Sequence, residues 1–95
     1  MKRPDHFDDN DWAIAQEWYA SRPKAVQVAI ERCPPWLLYR LKETGQIGNI
    51  YCFTDRMDGV ITCKFDCLDI HGNQIRVFGV SLDSLEVVSE ERSIH

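Results

Sequence analysis

The chain has no long hydrophobic run. No uninterrupted apolar stretch among its 95 residues exceeds the four of Trp36-Leu37-Leu38-Tyr39. A membrane-spanning helix needs about 20 apolar residues, so no such span is expected. The opening Met1-Lys2-Arg3-Pro4-Asp5 turns acidic at once and has no apolar core segment, so no secretory signal is read and a cytoplasmic location is the expectation. Internal repeats and low-complexity tracts are missing. An excess of positive charge is missing too: 11 basic residues stand against 15 acidic ones, a net charge of -4. A dedicated nucleic-acid wrapper draws most of its affinity from phosphate neutralisation and is normally basic.

What is present is a globular balance, 44% hydrophobic and 27% charged residues. The length suits a single domain over residues 1–95, with a core just large enough to hold without staples. Charge is uneven along that domain. Up to Ser21, Lys2 and Arg3 face Asp5, Asp8, Asp9, Asp11 and Glu17. The stretch 22–42 then carries Arg22, Lys24, Arg32, Arg40 and Lys42 against Glu31 alone. Such polarity fits a partner with complementary patches, and equally an ordinary mixed surface.

The segment 8–35 reads as two short helices. Asp8, Asp9 or Asn10 can cap the first, and acids there complement the helix dipole. Trp12, Ala15 and Tyr19 form a helical stripe, with Ile14 and Trp18 beside it. Pro23 suits the first position of a second helix. Val26, Ala29, Ile30 and Cys33 then recur at amphipathic spacing, until Pro34-Pro35 stops the helix.

From Trp36 the period changes to two. Strands are expected from Leu37 to Lys42, Ile47 to Thr54, Val60 to Leu68, Ile75 to Val80 and Glu86 to Val88. Turns fall at Thr44-Gly45-Gln46, Arg56-Met57-Asp58-Gly59 and His71-Gly72-Asn73, with a one-turn helix at Ser81 to Leu85. Gly48 inside a strand marks a bulge or a close backbone approach. Residues 89–95 read as a polar tail.

This order of strands resembles an SH3-like barrel over Leu41 to Val88, a superfold that includes Tudor and KOW modules. Gly45-x-x-Gly48-x-Ile50 is similar to the second-strand entry of such barrels, and Leu82-Asp83-Ser84-Leu85-Glu86-Val87 resembles their closing turn and strand. With helices ending in Pro-Pro, the whole chain is similar in layout to small proteins of prophages and other mobile elements. The expected class is therefore α+β: two N-terminal helices packed on a five-stranded antiparallel SH3-like barrel at 36–88. The resemblance implies a phage accessory protein or a stoichiometric inhibitor of a host protein, for example of a defence system.

Catalytic constellations are sparse. Cys52, Cys63, Cys67 and His71 offer four soft ligands, but no close C-x2-C pair exists. On a strand, Cys63 and Cys67 sit about 13 Å apart at about 3.3 Å per residue, too far for one ion. Buried thiols are the expectation, and neither a metal nor another cofactor is read. Gly45-x-x-Gly48 is not a phosphate-binding G-x-x-x-x-G-K-[ST] loop. His6 and His95 fall in tails, and Asp66 and Asp69 read as a solvated pair, so no activated nucleophile and no enzyme is expected.

Aromatic residues carry the functional reading. Trp12, Trp18, Tyr19 and Trp36 are expected to dock the helices. Strict alternation over 47–54 puts Ile50 and Cys52 on one face and Tyr51 and Phe53 on the other, while Phe78 opposes Ile75 and Val77. Tyr51, Phe53 and Phe78 then lie outside the barrel, covered by the chain's own helices or by a partner, with Arg56 and Arg76 at the rim. A non-catalytic protein-binding module is the first expectation. Nucleic-acid binding through Arg22, Lys24, Arg32, Arg40 and Lys42 is the alternative.

Overall fold

The fold comes from a computed structural model that describes residues 2–56 and 58–89. Helix α1 spans Asp9–Ala20 and starts where its acids dictate. The Asp8 side chain accepts from the Asp11 N–H at 2.7 Å, and the Asp11 carboxylate accepts from the Asp8 N–H at 3.4 Å. This reciprocal box satisfies two N–H groups that a helix start leaves without partners. At the other end the Ser21 hydroxyl donates to the Trp18 carbonyl at 2.7 Å.

Helix α2 spans Lys24–Arg32. Pro23 occupies its N-cap, one place before the expected first helical position, and its carbonyl accepts from the Gln27 N–H at 2.9 Å. The stripe of Val26, Ala29, Ile30 and Cys33 is buried throughout. Complete burial of a side chain such as Ile30 contributes about 1.5–3 kcal/mol.

Five antiparallel strands follow: β1 Leu38–Leu41, β2 Ile47–Asp55, β3 Ile61–Leu68, β4 Gln74–Ser81 and β5 Leu85–Ser89, with the one-turn helix Leu82–Ser84 before β5. The class is α+β, as expected. The closed barrel is not what forms. The order is β4-β3-β2-β1-β5, and among the described residues β4 and β5 do not pair with each other. The inner face is covered differently: α2 lays Ala29 and Cys33 against Tyr39, Leu41, Ile50, Cys63 and Phe65, so its apolar surface is buried by a helix rather than by closure. Apart from Ser89, the last residue of β5, the expected tail lies outside the described residues.

Tyr39 anchors this arrangement. It is 1% exposed, and its hydroxyl donates to the Pro34 carbonyl at 2.7 Å. The bond ties the end of α2 to the first strand and satisfies a hydroxyl that burial would otherwise penalise.

Two bulges decide which side chains face inward. β2 pairs Ile50 with Phe65 and then Cys52 with Lys64, so Tyr51 is an extra residue. β4 pairs Val77 with Phe65 and then Val80 with Cys63, leaving Phe78 and Gly79 opposite Lys64. Gly79 has φ 66, a left-handed step that glycine takes without strain. Past Tyr51 the alternation of β2 is inverted, so Phe53 pairs with Cys63 on the inner face and Cys52 with Lys64 on the outer one. The expectation that Phe53 lies outside, and Cys52 on the side of Ile50, is corrected by this one residue.

A second cluster of Ala15, Val26, Ile30 and Trp36 gathers Phe7, Trp12, Trp18 and Tyr19, so the four expected docking aromatics do hold the helices. Trp36 is its hub, with ring centroids 6.2 Å from Trp12 and 5.6 Å from Phe7. Phe53, Ile61 and Leu37 touch both clusters and join them. Among the described residues, no helix is long and apolar enough to cross a membrane.

Gly48 proves to be a close approach and not a bulge: a Cβ there would collide with the Asp66 carbonyl oxygen. Gly48→Ala must push β2 away from β3. It should lower the unfolding free energy by at least about 1–3 kcal/mol, read as a reduced urea midpoint.

Candidate binding surface

The outer face of the sheet is set by the register. Directly opposed residues of an antiparallel pair share a face, so Cys52, Lys64, Asp66 and Arg76 lie away from the core, and the bulge residues Tyr51 and Phe78 are exposed beside them. Two of them are large and open, Tyr51 at 57% and Phe78 at 68% exposed.

Charges organise around these rings. Arg76 donates to both oxygens of Asp66, Nε to Oδ1 at 2.7 Å and Nη2 to Oδ2 at 3.1 Å, in a forked pair between directly opposed strand residues. The guanidinium carbon lies 3.5 Å from the centre of the Tyr51 ring. Lys64 Nζ stands 5.5 Å from the Phe78 ring centre. Each exposed aromatic thus carries a cation against its electron-rich face. The Arg76 hydrogen bonds hold the Asp66 carboxyl below its ordinary range, against a smaller opposing effect of burial.

Beside this face runs an open groove. α1 packs on α2 and gathers with it around Trp36. Ile14, Ala15 and Trp18 of α1 form one wall, and Ile47, Tyr51 and Leu68 of β2 and β3 the other. Trp36 and Ile50 lie between the walls. Its acidic lining side chains are Asp11 and Asp66, His6 lines it too, and among the described residues no Lys or Arg does.

Of the five residues predicted as a partner surface, the structure brings Tyr51, Arg76 and Phe78 together. Phe53 packs inside, against the helices. Arg56 sits five residues beyond Tyr51, about 16 Å along the strand at about 3.3 Å per residue, and faces Asp58 at 3.8 Å. Sequence reading missed Lys64, Asp66, Ile14, Trp18 and Leu68 as neighbours of this surface. The Asp66–Arg76 pair had a signal: a hairpin centred on His71 opposes residues equidistant from it.

The basic set 22–42 does not form one patch of free cations. Arg32 is ion-paired with Asp83, and Arg40 donates to Glu86 at 3.0 Å. Arg22 donates to the Ser21 hydroxyl at 3.1 Å, while Lys24 opens α2 and Lys42 follows β1.

All four cysteines are free thiols, with Cys33, Cys63 and Cys67 buried and Cys52 half-buried. Burial pushes the Cys63 thiol up to about 12 and also raises Cys33 and Cys67. A thiol held protonated is a poor nucleophile and a poor metal ligand. Among the described residues no three His, Cys, Asp or Glu side chains converge as metal ligands. Asp69 serves the β3–β4 turn, its Oδ1 accepting from the His71 and Asn73 N–H groups at 2.9 and 2.8 Å.

Two outcomes follow from these environments. The Asp66 carboxyl is depressed in the folded state, so its stabilisation is present above the unfolded value, about 3.9, and is lost as pH falls through the lower folded one. NMR should show the Tyr51 ring signals shifting in that acid window, and Asp66→Asn should abolish the step. Alkylation of the native chain at pH 8 should modify Cys52 first and the buried three only with unfolding, as mass spectrometry of the labelled peptides would read.

Comparison with protein-family models, with curated proteins and with solved structures finds no match to this chain.

Proposed function

We propose that this chain is a non-catalytic protein-binding module that acts by stoichiometric contact through the outer face of β2, β3 and β4. The observation that carries the reading is the exposed pair Tyr51 and Phe78 with Arg76 already locked in place between Asp66 and the Tyr51 ring. Tyrosine and arginine dominate interface hot spots because they bury large area and make directional bonds. An arginine held by a forked ion pair and a ring face loses little further freedom on binding, which lowers the entropic penalty of association.

The same features argue against nucleic acid as the first choice. A base stacking on Tyr51 would have to displace Arg76, two of the five basic residues at 22–42 are already matched by acids, and the chain is net -4. The resemblance in layout to mobile-element proteins makes a host protein the proposed partner, held as by a stoichiometric inhibitor.

The test is capture by the full chain compared with Tyr51→Ala/Phe78→Ala and with Arg76→Glu, each checked for native circular dichroism. A protein retained in equimolar amount by the wild type and lost from both variants is the expected result, at a reduction of about 30-fold or more in affinity for about 2 kcal/mol of hot-spot energy. Retention by both variants, or nucleic-acid binding with steep salt dependence and no protein partner, would overturn the reading.

A further inference from the structure

We infer that the groove between α1 and the β2–β3 wall is a seat for a short amphipathic helix bearing lysine or arginine on its polar side. The inference rests on the protein-binding reading and deepens it by assigning the chemistry of the partner to a place next to, and separable from, the Phe78 face.

The apolar requirement comes from the walls. Ile14 is 59% and Leu68 56% exposed, and they face the groove together with Trp18, Ile47 and Tyr51. On α1 the lining positions are Asp11, Ile14, Ala15 and Trp18, one continuous helical face. They span about 10.5 Å at about 1.5 Å per residue, the length over which a second helix presents side chains at i, i+3 or i+4, and i+7.

A helix is favoured over an added strand by backbone accounting. Gly48 is paired with Tyr39 on one side and Cys67 on the other, Asp66 with Asn49 and Arg76, and Cys67 with Gly48 and Ile75. The sheet wall therefore offers an entering strand no open ladder here. A strand would bury its own amide groups without partners, whereas a helix satisfies them internally.

The charge requirement comes from α1. It carries Asp9, Asp11 and Glu17 and no basic residue, and its last turn, the negative end of the helix dipole, also lacks one. Arg3 offsets Asp9, and Arg76 offsets Asp66, which leaves Asp11 as the lining carboxylate with no ion pair among the described residues. Asp11 is exposed at the mouth of an open groove, where it would repel an acidic occupant and attract a basic one.

The experiment is a phage-displayed library of helix-forming 14-residue peptides, randomised on both faces and selected against the folded full chain. Enriched peptides should be net positive, with large apolar residues at i, i+3 or i+4, and i+7. Their affinity, by fluorescence anisotropy of the synthetic peptides, should fall about tenfold or more on Ile14→Gln/Leu68→Gln and should be unchanged on Phe78→Ala. Four outcomes overturn the inference: acidic or neutral peptides enriched, binding insensitive to the Ile14/Leu68 change, no enrichment, or a dimer of the chain that dissociates on Ile14→Gln and so places a second copy in the groove. Peptides lost on Phe78→Ala but not on Ile14→Gln/Leu68→Gln overturn the groove while leaving the protein-binding reading of the sheet face intact.

Discussion

One extra residue in β2 governs both the core and the surface of this protein. Because side chains alternate along a strand, inserting Tyr51 between the Ile50–Phe65 and Cys52–Lys64 pairs turns every later residue of β2 over. Phe53 enters the core and joins its two clusters. The matching irregularity at Phe78 and Gly79 brings Val80 inward against Cys63. Both bulges flank Lys64, and both put an aromatic ring outside beside it. Without them the sheet would expose Val80, at about 1.5–3 kcal/mol of lost burial, and the half-buried Phe53, at less.

The helices complete what the sheet leaves undone. α2 covers the inner face, and the Tyr39 hydroxyl on the Pro34 carbonyl fixes how the chain passes from helix to strand. The sheet then has no need to close, and its ends remain β4 and β5. α1 docks on α2 through Trp12, Trp18 and Trp36, and an open groove runs between α1 and the β2–β3 wall, lined in part by the same Trp18 and Trp36.

Burial holds the Cys33, Cys63 and Cys67 thiols protonated, the turn carboxylate Asp69 is committed to backbone amides, and the exposed rings of Tyr51 and Phe78 are each matched by a cation. The run of positive charge at 22–42 is broken up in part by folding. Folding sets Asp83 against Arg32 and Glu86 against Arg40, drawn from a segment more than forty residues away.

By itself the sequence determined the elements of this fold. Asp8 and Asp11 start α1, Pro34-Pro35 ends α2, the stripe from Val26 to Cys33 is buried, and the five strands with their one-turn helix lie where alternation and turn residues place them. Each of those signals acts between residues a few positions apart, so it is written locally. Only the tertiary structure decided that the sheet stays open, that Phe53 faces in while Tyr51 and Phe78 face out, and that Arg76 rests on Tyr51. A bulge depends on what the neighbouring strand presents, and closure depends on whether a helix already covers the inner face. Both are settled by long-range packing, which no pattern within one strand encodes.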